Sequence, residues 1–218
     1  MHETWNGEGL DFSGFLHYMQ KPGTASDNAS ISQLFTKLGV NDEMLQLVLA
    51  QASVKEFLDQ RYEPKPQSLD QLISLPPSSF GHQWAQFMLD NKLNPSFFKN
   101  LDSDDIRSYV INRLHDTHDM WHVILGFDTS EAGEAGMNAF TYAQAGSPTT
   151  CMLMAAKLVR AIGMDESVRH TMMHNICRGY TLGMRLEPFL AMAWEEHWHA
   201  ELADLRQRVG LRSSDFAN

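Results

Sequence analysis

The segment HDTHDMWHVILGFDTSEAGE, His115 to Glu134, places His115, His118 and His122 beside Asp116, Asp119, Asp128, Glu131 and Glu134 within a few helical turns. On a helix turning about 100° per residue, His118 and His122 stand about 40° apart around the axis and about 6 Å apart along it, a spacing at which two imidazoles grip one ion. His115 and Asp119 fall within the same arc of about 100°. A chain reversal at GFDTS would let Glu134, one turn into the next helix, point back at that cluster. Two antiparallel helices would then supply two nitrogens and two carboxylates. With no thiolate in reach, this set suits zinc, iron(II), manganese or cobalt, and two histidines plus a carboxylate with open positions also match a non-haem iron geometry. The plainer reading is a histidine pair on a helix surface, with Glu134 a solvated carboxylate favoured by the dipole of a helix N-terminus and Glu131 a capping residue.

A rival constellation lies in WEEHWHAEL, where Glu196 and His199 form E-x-x-H, half of the signature by which helical bundles hold two irons. Only one such unit sits in a convincing apolar helix, and Trp194 and Trp198 read there as an i, i+4 aromatic pair on a buried side. His170 and His174 read as helix surface or satisfied core.

The elements that must position these residues are helical throughout. Ser53 with Glu56 gives a capping-box pattern before VKEFLDQRY, which Pro64 and Pro66 follow. A helix stops at Pro76 and Pro77, another crosses Trp84 to Leu89, and Pro95 offers a fresh start. Ser103 opens a long helix whose Ile106, Val110, Leu114, Trp121 and Ile124 keep one apolar stripe, and Gly126 ends it. Asp128, with Glu131 three residues on, is the expected N-cap of the next helix. Gly146 separates that helix from TTCMLMAAKLVRAI, and Gly163 with Asp165 opens a run to about Glu187. From Pro188 one helix is expected to reach Gly210. No stretch alternates as a strand. The expected fold is all-α: a single-domain multi-helix bundle over residues 30–218, preceded by a loosely attached segment over 1–29.

Seventeen Lys plus Arg against twenty-seven Asp plus Glu leave a net charge of -10, the wrong sign for phosphate backbones or anionic lipid headgroups, so nucleic acid is not an expected partner. Cys151 and Cys177 form no disulfide framework, and no signal segment or apolar run long enough to span a bilayer is visible. The expected location is cytoplasmic or peripheral at the inner face of a membrane.

The spacing HDMWH at 118–122, then eleven residues, then Glu134, resembles the hallmark of the coenzyme Q (ubiquinone) biosynthesis protein 4 family. LPPSSFGHQWAQFM at 75–88 and RGYTLGMRLEPFLAMAWEEHWHAELADLRQRVGL at 178–211 are similar to further family segments, so the resemblance covers residues from about 30 to 211. It implies a helical protein that binds one divalent metal, be it zinc, iron, manganese or magnesium, through His118, Asp119, His122 and Glu134. It also implies a polyprenylated ring or other isoprenoid lipid held in an apolar channel between helices, with metal-dependent oxidative decarboxylation of the ring as the activity and His115 as a proton carrier. The alternative it carries is a non-catalytic isoprenoid binder that serves as scaffold for other quinone-biosynthesis enzymes. A homodimer is the expected assembly. Among thirteen methionines, Met152, Met172 and Met184 are examples of flexible side chains that line apolar channels or simply fill a core. Arg178 and Arg185, two helical turns apart among apolar neighbours, are candidate contacts for a carboxylate or phosphate headgroup, or partners of Glu187 or Glu195.

Overall fold

The computed structural model describes residues 12–20, 40–95 and 105–216, and within them the chain forms ten α-helices and no sheet, with one isolated antiparallel bridge between Ser79 and Glu201. The helices are α1 (Ser13–Gln20), α2 (Val40–Leu49), α3 (Ala52–Asp59), α4 (Leu69–Ile73), α5 (Phe80–Asp90), α6 (Ile106–Leu125), α7 (Glu131–Ala145), α8 (Pro148–Ala161), α9 (Glu166–Arg185) and α10 (Leu202–Arg208). The all-α expectation holds. The expected starts at Pro95 and Ser103 abut or fall in 96–104, outside the described residues.

Two glycine reversals organise the middle of the chain. Gly126 (φ 70°) and Gly146 (φ 64°) adopt the left-handed conformation that ends a helix cheaply only without a Cβ. Each is followed by a serine cap: Ser130 accepts the Gly133 N–H to start α7, and Ser147, with Pro148 at the first helical position, accepts the Thr150 N–H to start α8. Helices α6, α7 and α8 therefore follow one another through short turns. Asp128 is not the N-cap expected of it. Its carboxylate accepts from the Ser130 N–H and hydroxyl, bracing the residue that does cap. The Ser53–Glu56 capping box is also absent, because α3 begins two residues earlier, at Ala52 with Gln51 as its N-cap, whereas Ser68 and Gln71 form one at α4.

Helix α9 packs along α7 at backbone distance. A Cβ added to Gly179 would lie 2.1 Å from the Gly136 carbonyl oxygen, and one on Gly183 would meet the Ala143 Cβ at 2.6 Å. The G-x-x-x-G spacing of α9 thus admits a helix that a larger residue would push away. Beside this seam an aromatic core stacks Trp121, Phe140, Phe189 and Trp194, with Trp121 edge-on to Phe140 (5.8 Å) and Phe189 (5.7 Å).

The expected single helix from Pro188 to Gly210 is replaced by two 3₁₀ turns, Phe189–Ala191 and Trp194–His197, and then α10. The reason lies in where its backbone groups go. The Phe189 N–H donates to Gln144 Oε1, Arg113 takes the Met192 carbonyl, and the Ala200 and Trp198 carbonyls accept from Phe80 and Gly81. These outside partners compete with intrahelical bonding and let the segment wrap the core, burying both Trp194 and Trp198. Glu196 and His199 are left exposed and off any α-helix, so the E-x-x-H half-site does not form.

Within the N-terminal segment expected to be loose, α1 is docked on α8, with Tyr18 buried against Leu153 and Ala156. The remainder of residues 1–29 lies outside the described residues, apart from Phe12.

The close α7–α9 seam gives a stability test. Gly179→Ala should cost about 1–3 kcal/mol through overpacking, with Tm falling by about 2–4 °C for each kcal/mol in a chain of this size. Gly163→Ala, whose new Cβ would meet only the Arg160 carbonyl at 3.8 Å, should stay within about 0.5 kcal/mol. Thermal unfolding followed by circular dichroism compares the two.

Candidate metal centre

His118, Asp119 and His122 occupy the second half of α6, and the Gly126 reversal brings Glu134, in the first turn of α7, onto them. The Nε2 atoms of His118 and His122 are 3.1 Å apart; Glu134 Oε1 lies 3.3 Å from His122 Nε2, and its Oε2 lies 3.7 Å from His118 Nε2. One ligand atom each from His118, Asp119 and His122 also falls within 4.8 Å of the others. Ligands arranged tetrahedrally about a single ion at about 2.0–2.1 Å stand roughly 3.3 Å from one another. The spacing of the two nitrogens and the Glu134 oxygens fits that requirement.

The orientation of His122 is fixed from behind. Its Nδ1 is 3.1 Å from the Phe127 carbonyl oxygen, which can only accept, so Nδ1 carries the proton and Nε2 turns its lone pair toward His118 and Glu134. Phe87 stacks on the ring at 5.5 Å, and His122 is 1% exposed. His118 and Glu134 are each 30% exposed, so the cluster has a buried floor and an open mouth.

The electrostatics of the cluster follow from its geometry. Burial disfavours the charged form of His118, but hydrogen bonding and attraction to Glu134, with Asp119 nearby, outweigh it and raise the imidazole above its ordinary 6.5. Burial would raise Glu134 as well, yet its bonds to both imidazoles hold its carboxyl well below 4.5. His115, one turn earlier on α6, is pushed down to about 4 by burial and by the neighbouring His118 charge. It is a neutral imidazole at physiological pH.

Arg178 and Arg185 sit elsewhere. Arg178 donates to the Leu125 and Asp215 carbonyls and lies over the Phe127 ring at 4.3 Å; Arg185 pairs with Asp215 and bonds the Gly210 carbonyl. Both guanidiniums therefore tie the C-terminal turn Ser213–Phe216 to α6 and α9, and neither faces the histidine cluster. Glu195, the other partner offered for them, forms a bidentate pair with Arg113 at 2.5 and 2.9 Å, with both side chains under 10% exposed. His170 and His174 are exposed surface. Among the described residues an open cleft of about 290 Å³ is lined by Leu47, Gln51, Tyr142, Gln144, Tyr180 and Met184, a mixed polar and apolar surface. It lies toward the far end of α7, roughly 12–15 Å along that helix from Glu134.

Three contributors to the site escape sequence reasoning. The Phe127 carbonyl carries no side-chain signal. Arg206, which donates to the Val123 and Ile124 carbonyls at the end of α6, sits in a basic helix end like many others. Arg113 offered the one usable clue, a cation on the apolar stripe of α6.

The family described as Coenzyme Q (ubiquinone) biosynthesis protein Coq4 matches residues 16–215. The Ubiquinone biosynthesis protein COQ4 homolog, mitochondrial, of Rattus norvegicus is 29% identical over 148 residues, covering 66% of this chain and 54% of that protein. Its namesake in Drosophila ananassae is 27% identical, covering 64% and 53%, and homolog 1 of Culex quinquefasciatus is 24% identical, covering 78% and 62%. The chain spans about half to three-fifths of the length of these relatives. A crystal structure from Nostoc punctiforme PCC 73102, of a protein named for ubiquinone biosynthesis, superposes with a TM-score of 0.78 at 25% identity, covering 93% of this chain and 97% of that one.

The His118–Glu134 contact predicts a defined pH response in metal-free protein. A raised His118 contributes stability that is full below about 6.5 and is lost as pH rises through its folded value; a depressed Glu134 contributes stability present above about 4.5 and lost as pH falls through its own. The contact should therefore stabilise most between about pH 4.5 and 6.5. Imidazole NMR titration should find His118 above 6.5 and His115 near 4, and Glu134→Gln should move His118 downward. An unmoved His118 would show that the contact is not made.

Proposed function

Because the chain belongs to the Coenzyme Q (ubiquinone) biosynthesis protein Coq4 family, we propose that it serves ubiquinone synthesis by holding one divalent metal on His118, Asp119, His122 and Glu134, beside the ring of a polyprenylated precursor. The observation that carries this reading is the convergence of two imidazole nitrogens and a carboxylate at 3.1 to 3.7 Å, with His122 turned inward by the Phe127 carbonyl. The bound ion would supply Lewis acidity toward a ring oxygen or carboxylate. An all-nitrogen-and-oxygen ligand set with an open mouth is the pattern of a working rather than a structural site.

The proposed reaction is oxidative decarboxylation, in which the ring carbon would lose its carboxylate as CO₂ and gain a hydroxyl from water, while dioxygen takes up the two electrons and two protons and leaves as hydrogen peroxide. In this reading His122 and Glu134 would hold the metal, and His115, one turn earlier on α6 and held neutral by its burial, would be the candidate proton carrier. The second reading, a non-catalytic isoprenoid binder and scaffold for other quinone-biosynthesis enzymes, is favoured by the separate cleft in which Leu47, Tyr142, Tyr180 and Met184 offer apolar surface. No helix among the described residues is long and apolar enough to cross a membrane. With a net charge of -10, attachment at a membrane would be by apolar contact, and self-association as a homodimer belongs to the same proposal.

Elemental analysis of protein purified without chelators or a histidine tag tests the site. About one equivalent of iron, zinc or manganese is expected, and His122→Ala should lose it with helix content unchanged by circular dichroism. Equal metal in both proteins, or none in either, overturns the metal reading. Aerobic incubation with a prenylated hydroxybenzoate separates the two functions: CO₂ release that His122→Ala abolishes supports the enzyme, and tight binding without conversion supports the binder.

A further inference from the structure

Lys157 is 4% exposed and yet pairs with no carboxylate among the described residues. Among the described residues its Nζ makes one hydrogen bond, 2.6 Å to the Tyr18 hydroxyl oxygen, lies 5.2 Å from the centre of the same ring, and has no acidic side chain within ion-pair distance. Buried ammonium groups are ordinarily paired, because an uncompensated charge out of water is costly. The next cation along α8 obeys that rule: Arg160 pairs with Glu131 at 2.7 Å.

The register of the α7–α8 hairpin explains the difference. Helices α7 and α8 reverse at Gly146, so the Glu131–Arg160 contact aligns residues moving in opposite directions along the two helices. Three residues further up α7 and three down α8, Glu134 comes level with Lys157. Glu134 is turned to His118 and His122, leaving Lys157 beside the cluster without its counter-ion. The surroundings are apolar: Phe15, Met19, Met152 and Leu153 pack about Tyr18, which strengthens any charge contact made there. Tyr18 accepts the Lys157 N–H and so keeps its own O–H to donate.

We infer that Lys157, together with the Tyr18 hydroxyl, binds an oxyanion, a carboxylate or a phosphate, of the ligand that occupies the His118–His122–Glu134 cluster. This rests on the cluster being the ligand site. A point-charge ammonium and a hydroxyl donor recognise either oxyanion, and together they would set a requirement for an anionic group beside the metal.

The test uses the full chain, zinc-loaded and metal-free, titrated with inorganic phosphate and with benzoate by calorimetry, with Tm followed in parallel. At least one oxyanion should bind wild-type protein and raise its Tm. Lys157→Met should weaken that binding at least about tenfold and lose the Tm response, Lys157→Arg should retain binding within about threefold, and zinc content should be the same in all three. Without anion, Lys157→Met should be at least as heat-stable as wild type, because the unpaired charge is gone. Should Lys157→Met fail to fold, Tyr18→Phe carries the test with an expected loss of several-fold. Which oxyanion responds separates a phosphate headgroup from a ring carboxylate. Wild-type protein that binds neither, or Lys157→Met that binds as well as wild type, overturns the inference. Zinc retained without anion binding sinks this inference and leaves the metal centre standing; anion binding through Lys157 in protein that retains no metal does the reverse.

Discussion

Three carbonyls at the end of α6 hold the rest of the structure in place. Val123, Ile124 and Leu125 are among the last carbonyls of that helix, which no intrahelical donor can satisfy. Arg206 from α10 takes the first two and Arg178 from α9 the third. Cationic guanidiniums at this end also complement the helix dipole. With the helix end pinned, the left-handed Gly126 turns the chain, and Phe127 lands where its carbonyl holds His122 and its ring stacks beneath Arg178. The geometry of the histidine cluster is therefore inherited from a helix terminus.

That terminus is clasped by the C-terminal turn Ser213–Phe216. Phe216 lies under both Arg178 and Arg206, and a Cβ at Gly126 would approach its ring to 3.0 Å. The first helix to carry the site and the last residues described are thus one packing unit. A second tie, between Arg113 and Glu195, joins the start of α6 to the wrapped segment after Pro188. A buried ion pair of this kind is weak evidence for stability against an apolar replacement, but losing either partner strands the other, so it fixes one arrangement of the segment over alternatives.

The histidine–glutamate cluster, the level of Lys157 on α8 and the cleft at Tyr142 and Met184 all meet α7. One helix face meets α6 and carries Glu134; another meets α8 and aligns Glu131 with Arg160; the small residues Gly136 and Ala143 admit α9. A helix so closely packed on several sides is a rigid platform, which is what a ligand set with fixed separations requires.

Local chemistry determined much of this from the sequence alone. The 3.6-residue period and the glycines at 126 and 146 set the helical class and the two chain reversals that separate α6, α7 and α8, and through the first of them the meeting of HDMWH with Glu134. These are interactions between residues a few positions apart, so their spacing can be read directly. The tertiary structure decided what spacing could not. The capping of α7 by Ser130 in place of Asp128 turned on which of two polar side chains two residues apart the turn geometry favoured. The breakup of the expected last helix came from Gln144, Phe80, Gly81 and Arg113, all distant in sequence, offering its backbone other partners. Arg178 and Arg185, Lys157 and Glu195 looked alike as cations and anions among apolar neighbours. Only the folded arrangement determined which were tied to carbonyls, which were paired and which has no counter-charge among the described residues, because the partner of a buried charge is chosen by the approach of whole helices and not by the residues beside it in the chain.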